Sequence, residues 1–186
     1  MNNAMQKKII LGILSLVLSM IAEVLKAEIV HDFSKSNLEG WYVIDDGVMG
    51  GRSRGQLEIE NDDIGLFSGR ISLQNYGGFS SIRYYTDNIK VKKYKYITMI
   101  INGDNKYYQL RIKGSRNDRY VYTSKFFAKN GWQQIRIPLA DMEPYFRGRK
   151  LNKKNFDKKY ITELGFLIGN KVPENFELRI RSILLE

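Results

Sequence analysis

The segment Phe176-Glu177-Leu178-Arg179-Ile180-Arg181 alternates apolar and charged side chains without a break. A period of two puts the apolar groups on one face of an extended chain and the charged groups on the other, so the segment reads as a half-buried β-strand. The same pattern governs the middle of the chain, where Tyr108, Leu110 and Ile112 alternate with Tyr107, Gln109, Arg111 and Lys113. Further β-branched and aromatic strand candidates are 28–33, 41–44, 56–60, 70–74, 80–86, 96–102, 119–126, 133–138 and 161–168. Turn formers separate them: Asn75-Tyr76-Gly77-Gly78, Asn102-Gly103-Asp104-Asn105, residues 114–118 and Asn130-Gly131. No stretch sustains a 3.6-residue period, and residues 140–145 suit one helical turn at most. Strands without helices predict an all-β sandwich of two packed antiparallel sheets.

The 186-residue chain has room for one domain and a short appendage. Lys7 and Lys8 precede an apolar run of 14 residues, 9–22, closed by Glu23. A membrane span needs about 20 apolar residues and a secretory core about 7 to 15. Residues 1–27 are therefore expected to form a signal peptide and 28–186 the sandwich domain. Cleavage is expected after Ala27, with Ala22 as the alternative; an uncleaved anchor would touch the membrane through residues 9–22. A mitochondrial presequence does not fit, because the segment has no arginine and is apolar all round. The expectation is an exported bacterial protein, periplasmic or secreted.

The chain contains no cysteine, which excludes disulfides, thiol nucleophiles and thiolate metal sites. Its net charge is +10, and cleavage after Ala27 would leave +8. Basic residues are dense from Arg147 to Lys159, with a second group at Arg111, Lys113, Arg116 and Arg119. Such a field favours an anionic surface as partner; nucleic acid is not expected for an exported protein.

The run Asp45-Asp46-Gly47-Val48-Met49-Gly50-Gly51-Arg52-Ser53 places three glycines and two carboxylates around a Val-Met pair. It resembles the motif Asp-Gly-Val-Met-Gly-Gly-x-Ser of the complex I intermediate-associated protein family, the thirty-kilodalton assembly-factor family of NADH:ubiquinone oxidoreductase and its bacterial relatives. Further blocks follow in family order. Phe67-Ser68-Gly69 with Ile71-Ser72-Leu73 resembles one family strand, and residues 75–83, containing Gly77, Gly78 and Phe79, resemble its N-x-G-G-F segment. Gly103-Asp104 resembles its G-D-G hairpin, with Asn105 in place of the last glycine. Trp132 through Pro138 and Phe146-Arg147-Gly148 resemble its W-x-x-(V/I)-x-(I/V)-P and (F/Y)-R-G blocks.

The resemblance implies a galactose-binding-like jelly roll and a non-enzymatic assembly-factor or chaperone-like adaptor with a protein partner in an envelope or respiratory complex. The alternative is a carbohydrate-binding module that recognises a glycan on its concave sheet face. The chain departs from the family in its secretory-type segment, whereas complex I assembly takes place on the matrix or cytoplasmic side.

Residue chemistry is consistent with binding rather than catalysis. His31 is the one histidine, so a multi-histidine metal site is excluded and a Ser-His-Asp arrangement would depend on it alone. Asp45-Asp46 and Asp62-Asp63 are adjacent pairs whose members point to opposite faces of an extended chain, so neither pair by itself flanks a glycosidic bond. With loop carbonyls these four aspartates are the residues from which an all-oxygen calcium site could be built. Aspartates in turns more commonly cap backbone N–H groups, and no metal or cofactor is expected. Tyr107, Gln109, Arg111 and Lys113, with Trp41, Tyr84 and Tyr122, form the candidate binding face, since aromatic faces beside amide and guanidinium donors suit a sugar or a protein hot spot. Gly50-Gly51 and Gly77-Gly78 read either as adjoining corners that plug Met49 and Phe79 into the core, or as an anion-binding nest. The first reading is preferred because Val48, Met49 and Phe79 are apolar anchors.

Overall fold

The computed structural model describes residues 27–186 except residue 36, and of the preceding segment only residues 9, 12 and 13. The expected signal peptide lies almost wholly outside the described residues. Among these, no helix is long and apolar enough to cross a membrane.

Two antiparallel sheets face each other. The first runs in the order β3 (Arg54–Glu60), β4 (Ile64–Ile71), β13 (Glu174–Leu185), β6 (Tyr96–Asn102), β9 (Trp132–Pro138). Its strand β1 (Glu28–Asp32) pairs with the end of β13, where β4 has already left the sheet. The second runs β11 (Arg149–Lys150), β10 (Glu143–Phe146), β8 (Val121–Ala128), β7 (Lys106–Lys113), β12 (Tyr160–Ile168), β5 (Ser80–Lys90), β2 (Trp41–Asp45). Apart from the consecutive pairs β3–β4, β7–β8 and β10–β11, neighbours within each sheet are far apart in sequence, as in a jelly roll. The expected all-β sandwich is therefore the observed fold.

The period-two reading fixes which side chains fill the interior. Phe176, Leu178 and Ile180 of β13 and Tyr108, Leu110 and Ile112 of β7 are all buried. Phe67 meets Phe176 edge to face at 4.8 Å between ring centroids. Tyr108 is fully buried and donates its hydroxyl hydrogen to Asp104 Oδ1 at 3.0 Å. Burial, then the Asp104 charge, push its phenol far above the ordinary value.

Two local expectations need correction. Residues 70–74 are not one strand: β4 ends at Ile71, and Gln74–Tyr76 form a 3-10 turn in which Asn75 has φ 54°. The strand begins earlier, at Ile64, because Ile64, Leu66 and Phe67 are drawn into the core. Residues 140–145 do not form a helical turn as a unit; Leu139–Asp141 make a 3-10 turn, and residues 143–146 join the sheet as β10. Pro144 is tolerated there because β10 is short and lies near the sheet edge.

The segment Gly103-Asp104-Asn105 does not close a hairpin, as its family resemblance implied, but carries the chain from β6 in one sheet to β7 in the other. Asn105 has φ 62°, a left-handed conformation that asparagine accepts where the family has glycine. Gly103 lies against Ala128, and a Cβ at Gly103 would come within 2.3 Å of the Ala128 Cβ and 2.5 Å of its carbonyl oxygen. Gly103→Ala is expected to destabilise the domain by about 1 to 3 kcal/mol, the cost of overpacking against backbone. A urea denaturation midpoint equal to that of the unsubstituted protein would contradict this.

Candidate binding site

The Asp46 carboxylate is fully buried and organises the corner where two glycine blocks meet. Oδ1 accepts a hydrogen bond from the Ser53 backbone N–H at 3.0 Å, and Oδ2 accepts from Gly78 N–H at 2.6 Å, Phe79 N–H at 3.2 Å and the Ser53 hydroxyl. Desolvation raises the carboxyl pKa, but the hydrogen bonds from Ser53, Gly78 and Phe79 together outweigh it and hold the group below its ordinary value. Gly51 and Gly77 leave room for this carboxylate: a Cβ would approach it to 2.3 Å at Gly51 and to 2.6 Å at Gly77. Gly50 has φ 89°, and its carbonyl accepts from Asn75 Nδ2 at 3.1 Å, which ties the two corners together. The side chains of Val48 and Met49 lie outside the described residues. Asp45 Oδ2 accepts from Gly55 N–H at 3.1 Å. Both oxygens of Asp46 thus face N–H donors, the wrong electrostatic partner for a cation, whereas Asp45 Oδ1 is buried without a hydrogen-bond partner, and Asp62 and Asp63 lie in the β3–β4 turn at the other end of β3. Among the described residues no three acidic or imidazole groups gather as metal ligands.

Gly77, Gly78 and Phe79 also form one end of an open cleft of about 700 Å³ on the outer face of the seven-stranded sheet. Phe146, Arg147 and Gly148 lie along the same cleft. Arg147 and Gly148 have φ of 48° and 78°, the tight turn that joins β10 to β11. Between them the floor is set by sheet register. Gly165 on β12 pairs with Arg83 on β5 and Arg111 on β7, and Arg111 in turn pairs with Thr123 on β8, itself opposite Glu143 on β10. Cross-strand neighbours lie about 4.8 Å apart, so residues separated by up to 82 positions share a single row.

The electrostatics of this floor are uneven. Glu163 is buried and is shared by Lys113 at 3.5 Å and Arg83 at 3.9 Å. Arg111 lies beside them, and its buried Nε has no hydrogen-bond acceptor. Burial, then the neighbouring Arg83 charge, lower the Arg111 pKa to about 10, with Glu163 opposing. The hydroxyl of Thr123, the cross-strand partner of Arg111, is also buried without a partner.

The sequence-derived binding face divides into two groups. Tyr107, Gln109, Arg111 and Lys113 do lie on the outer face of β7; Gln109, Arg111 and Lys113 line the cleft, while Tyr107 stands beyond it against Phe127 at 5.1 Å. Trp41, Tyr84 and Tyr122 do not share that face. Trp41 is buried, its indole N–H donates to His31 Nε2 at 3.1 Å, and Tyr84 stacks on it at 5.2 Å. Tyr122 is buried against Phe156 at 5.1 Å. Each is drawn inside because burying a large ring between the sheets removes more apolar surface from water than leaving it at the rim. His31 is buried with them, and burial lowers its pKa, which keeps Nε2 free to accept from Trp41. Asp104 accepts from Tyr108, Lys106 and the Glu177 N–H, so it braces the connection that crosses from β6 to β7 between the sheets. Trp132 is 42 % exposed under the Arg181 guanidinium at 4.4 Å, and Pro138 ends β9, both on the other sheet. Of the basic segment 147–159, Arg147 reaches the cleft, whereas Phe156 is pinned in the core.

A protein-family model, Complex I intermediate-associated protein 30 (CIA30), matches residues 31–180. The chain belongs to the CIA30 family. No curated protein sequence matches it significantly. Among solved structures, the chain is similar to the family 11 carbohydrate-binding module from Clostridium thermocellum in complex with a β-1,3-1,4-mixed-linked tetrasaccharide. That likeness has a TM-score of 0.65 at 14 % identity and covers 86 % of this chain and 94 % of the module. The agarase AgWH50C aligns with a TM-score of 0.60 at 13 % identity over 86 % of this chain and 24 % of the enzyme. At such identities these likenesses show the fold, a jelly-roll sandwich shared with carbohydrate-binding modules.

Arg83, Glu163, Gly165 and Tyr145 were not singled out in the sequence. Arg83 lies inside a family block, and Glu163 is the one charged residue in the apolar run 161–168, which were the signals available.

Proposed function

We propose that this protein is a non-catalytic binding module, acting outside the cytoplasm, whose cleft on the seven-stranded sheet holds an extended glycan. The observation that carries this reading is the cleft itself. Its volume of about 700 Å³ falls within the range of about 300 to 1,000 Å³ usual for small-ligand sites. Its wall offers the amide of Gln109 and the guanidinium groups of Arg83 and Arg111, with Tyr120 and Tyr145 at the side. Planar donors beside aromatic faces are suited to sugar hydroxyls and ring C–H groups. Export is supported by the apolar N-terminal run. The fold shared with carbohydrate-binding modules supports the same reading, although fold alone does not assign function.

The test is a glycan array spanning neutral and acidic polysaccharides, followed by titration. Binding to at least one glycan is expected, weakened roughly tenfold by Gln109→Ala, the loss of one or two hydrogen bonds. An array with no binder would remove this reading.

A second reading is favoured by the family itself: an adaptor that assists assembly of an envelope or respiratory complex through a protein surface. Tyr42 on the edge strand β2 is 55 % exposed and packs on Tyr85 at 5.3 Å, a pair suited to such contact. Crosslinking in intact cells should then recover one specific envelope protein, and the yield should drop with Tyr42→Ala.

A further inference from the structure

We propose that the cleft selects an acidic glycan, a sugar chain bearing carboxylate or sulfate groups, with Arg83 and Arg111 as the anion-binding pair on its floor. The inference rests on the glycan reading above and adds the charge of the ligand.

Six cations face the cleft: Arg83, Arg111, Lys113, Arg119, Arg147 and Lys171. The nearby carboxylate, Glu163, is divided between Lys113 and Arg83. Among the described residues Arg111, Arg119, Arg147 and Lys171 make no ion pair. A concentration of one sign in a partly enclosed site focuses the field and attracts ligand of the opposite sign.

The floor points more specifically to an anion. Gly165 lies between Arg83 and Arg111 in register and has no side chain to separate them. Nor can one be added, because a Cβ at Gly165 would come within 2.1 Å of the Ile82 carbonyl oxygen. The two guanidinium groups therefore flank a space of about 10 Å³ above the buried Gly165, shared with Glu163, and repel each other across it while both reach the larger cleft. Arg111 Nε and Thr123 Oγ1 are both buried and unpartnered in the protein. Buried donors without acceptors are costly. A ligand carboxylate or sulfate seated in the larger cleft against Arg83 and Arg111 would neutralise the pair and supply acceptors for guanidinium hydrogen bonds. A neutral sugar would leave the repulsion in place.

A sugar chain suits the site better than a nucleic acid. A single-stranded nucleic acid needs open aromatic faces for its bases. Here the Phe146 ring already carries the guanidinium groups of Arg119 at 5.8 Å and Arg147 at 5.4 Å. A second cavity of about 310 Å³ shares Gln109, Arg111, Tyr145 and Gly148 but is also lined by Asp141 and by Glu143, which pairs with Lys150, so the basic path ends near Arg111 rather than crossing β10.

Isothermal titration of the domain against four probes tests the proposal: an oligogalacturonate, a chondroitin sulfate oligosaccharide, a neutral mixed-linkage β-glucan oligosaccharide and a single-stranded oligonucleotide. At least one acidic sugar is expected to bind roughly tenfold or more tighter than the neutral one, and the stronger of the two acidic arms identifies the group as carboxylate or sulfate. Arg111→Gln and Arg83→Gln should each weaken that binding about tenfold or more, and Lys154→Gln, outside the cleft, should leave it unchanged. Thermal unfolding of each variant shows that the fold is retained, and either arginine variant alone suffices if the other is unstable. Equal or tighter binding of the neutral sugar overturns the acidic preference and leaves the glycan reading standing. Tighter binding of the oligonucleotide overturns it in favour of a nucleic acid ligand. Binding of no sugar overturns both readings together.

Discussion

Asp46→Ala is expected to destabilise the domain by about 3 to 5 kcal/mol, because it strips the acceptor from three backbone N–H groups and one hydroxyl, each worth roughly 1 kcal/mol or more when orphaned in a buried site. The groups left behind belong to Ser53, Gly78 and Phe79, which lie on two different loops joined by this carboxylate. Domains of this size have about 5 to 15 kcal/mol in hand, so a large share of the stability is at stake. The cleft should suffer with it, since Gly78 and Phe79 form its end.

Asp46→Asn separates charge from shape. Its pKa lies below the ordinary 3.8 in the folded protein. The stabilisation from the ionised carboxylate is therefore fully present above about pH 4 and is lost as pH falls through the depressed folded value. Urea denaturation between pH 2 and pH 7 should show this acid limb in the unsubstituted protein. In Asp46→Asn the limb should flatten, from a lower plateau at neutral pH. A variant as stable as its parent at pH 7 would refute the role assigned to this carboxylate.

Trp41→Ala is expected to cost about 3 to 5 kcal/mol, the usual range for removing a large buried aromatic side chain. Trp41 packs among Phe33, His31 and Tyr84, and its indole N–H is the donor to His31 Nε2. Trp41→Phe should recover most of the packing and leave His31 without that donor, a loss of about 1 kcal/mol. Under conditions where the variants remain folded, glycan affinity should match the unsubstituted protein, because the ring is on the core side. Unchanged stability combined with lost binding would return Trp41 to the ligand face. Acid should weaken this cluster too: the His31 pKa is lowered from 6.5, so the neutral ring's contribution is complete above that pH and declines as pH falls towards the lowered value.

The two substitutions mark what was legible in the residues. Alternation along 107–113 and 176–181 gave the buried and outer positions of β7 and β13 correctly, since one face of each is uniformly apolar. Trp41, Tyr84 and Tyr122 were misplaced because a Trp or Tyr is compatible with either face: its ring suits the core and its polar atom suits the surface. The family blocks were visible as well, yet what joins them was not. Asp46 reaches Gly78 and Phe79 across 32 and 33 positions of chain.

The sequence by itself determined most of the strands, the all-β class and the family, because side-chain period, turn residues and ordered short motifs are local properties, whereas β10 and the start of β4 depended on the sheet they join. Only the tertiary structure decided the site. A row running Arg83, Gly165, Arg111, Thr123 and Glu143 exists because five strands distant in sequence hydrogen-bond in one register. Register is set by the whole sandwich closing over its core, where a slip of one residue would turn every apolar side chain outwards. The unpaired charge at Arg111 is likewise a property of the assembled sheet, since it depends on which single carboxylate, Glu163, the neighbouring strand brings within reach of its neighbours Arg83 and Lys113.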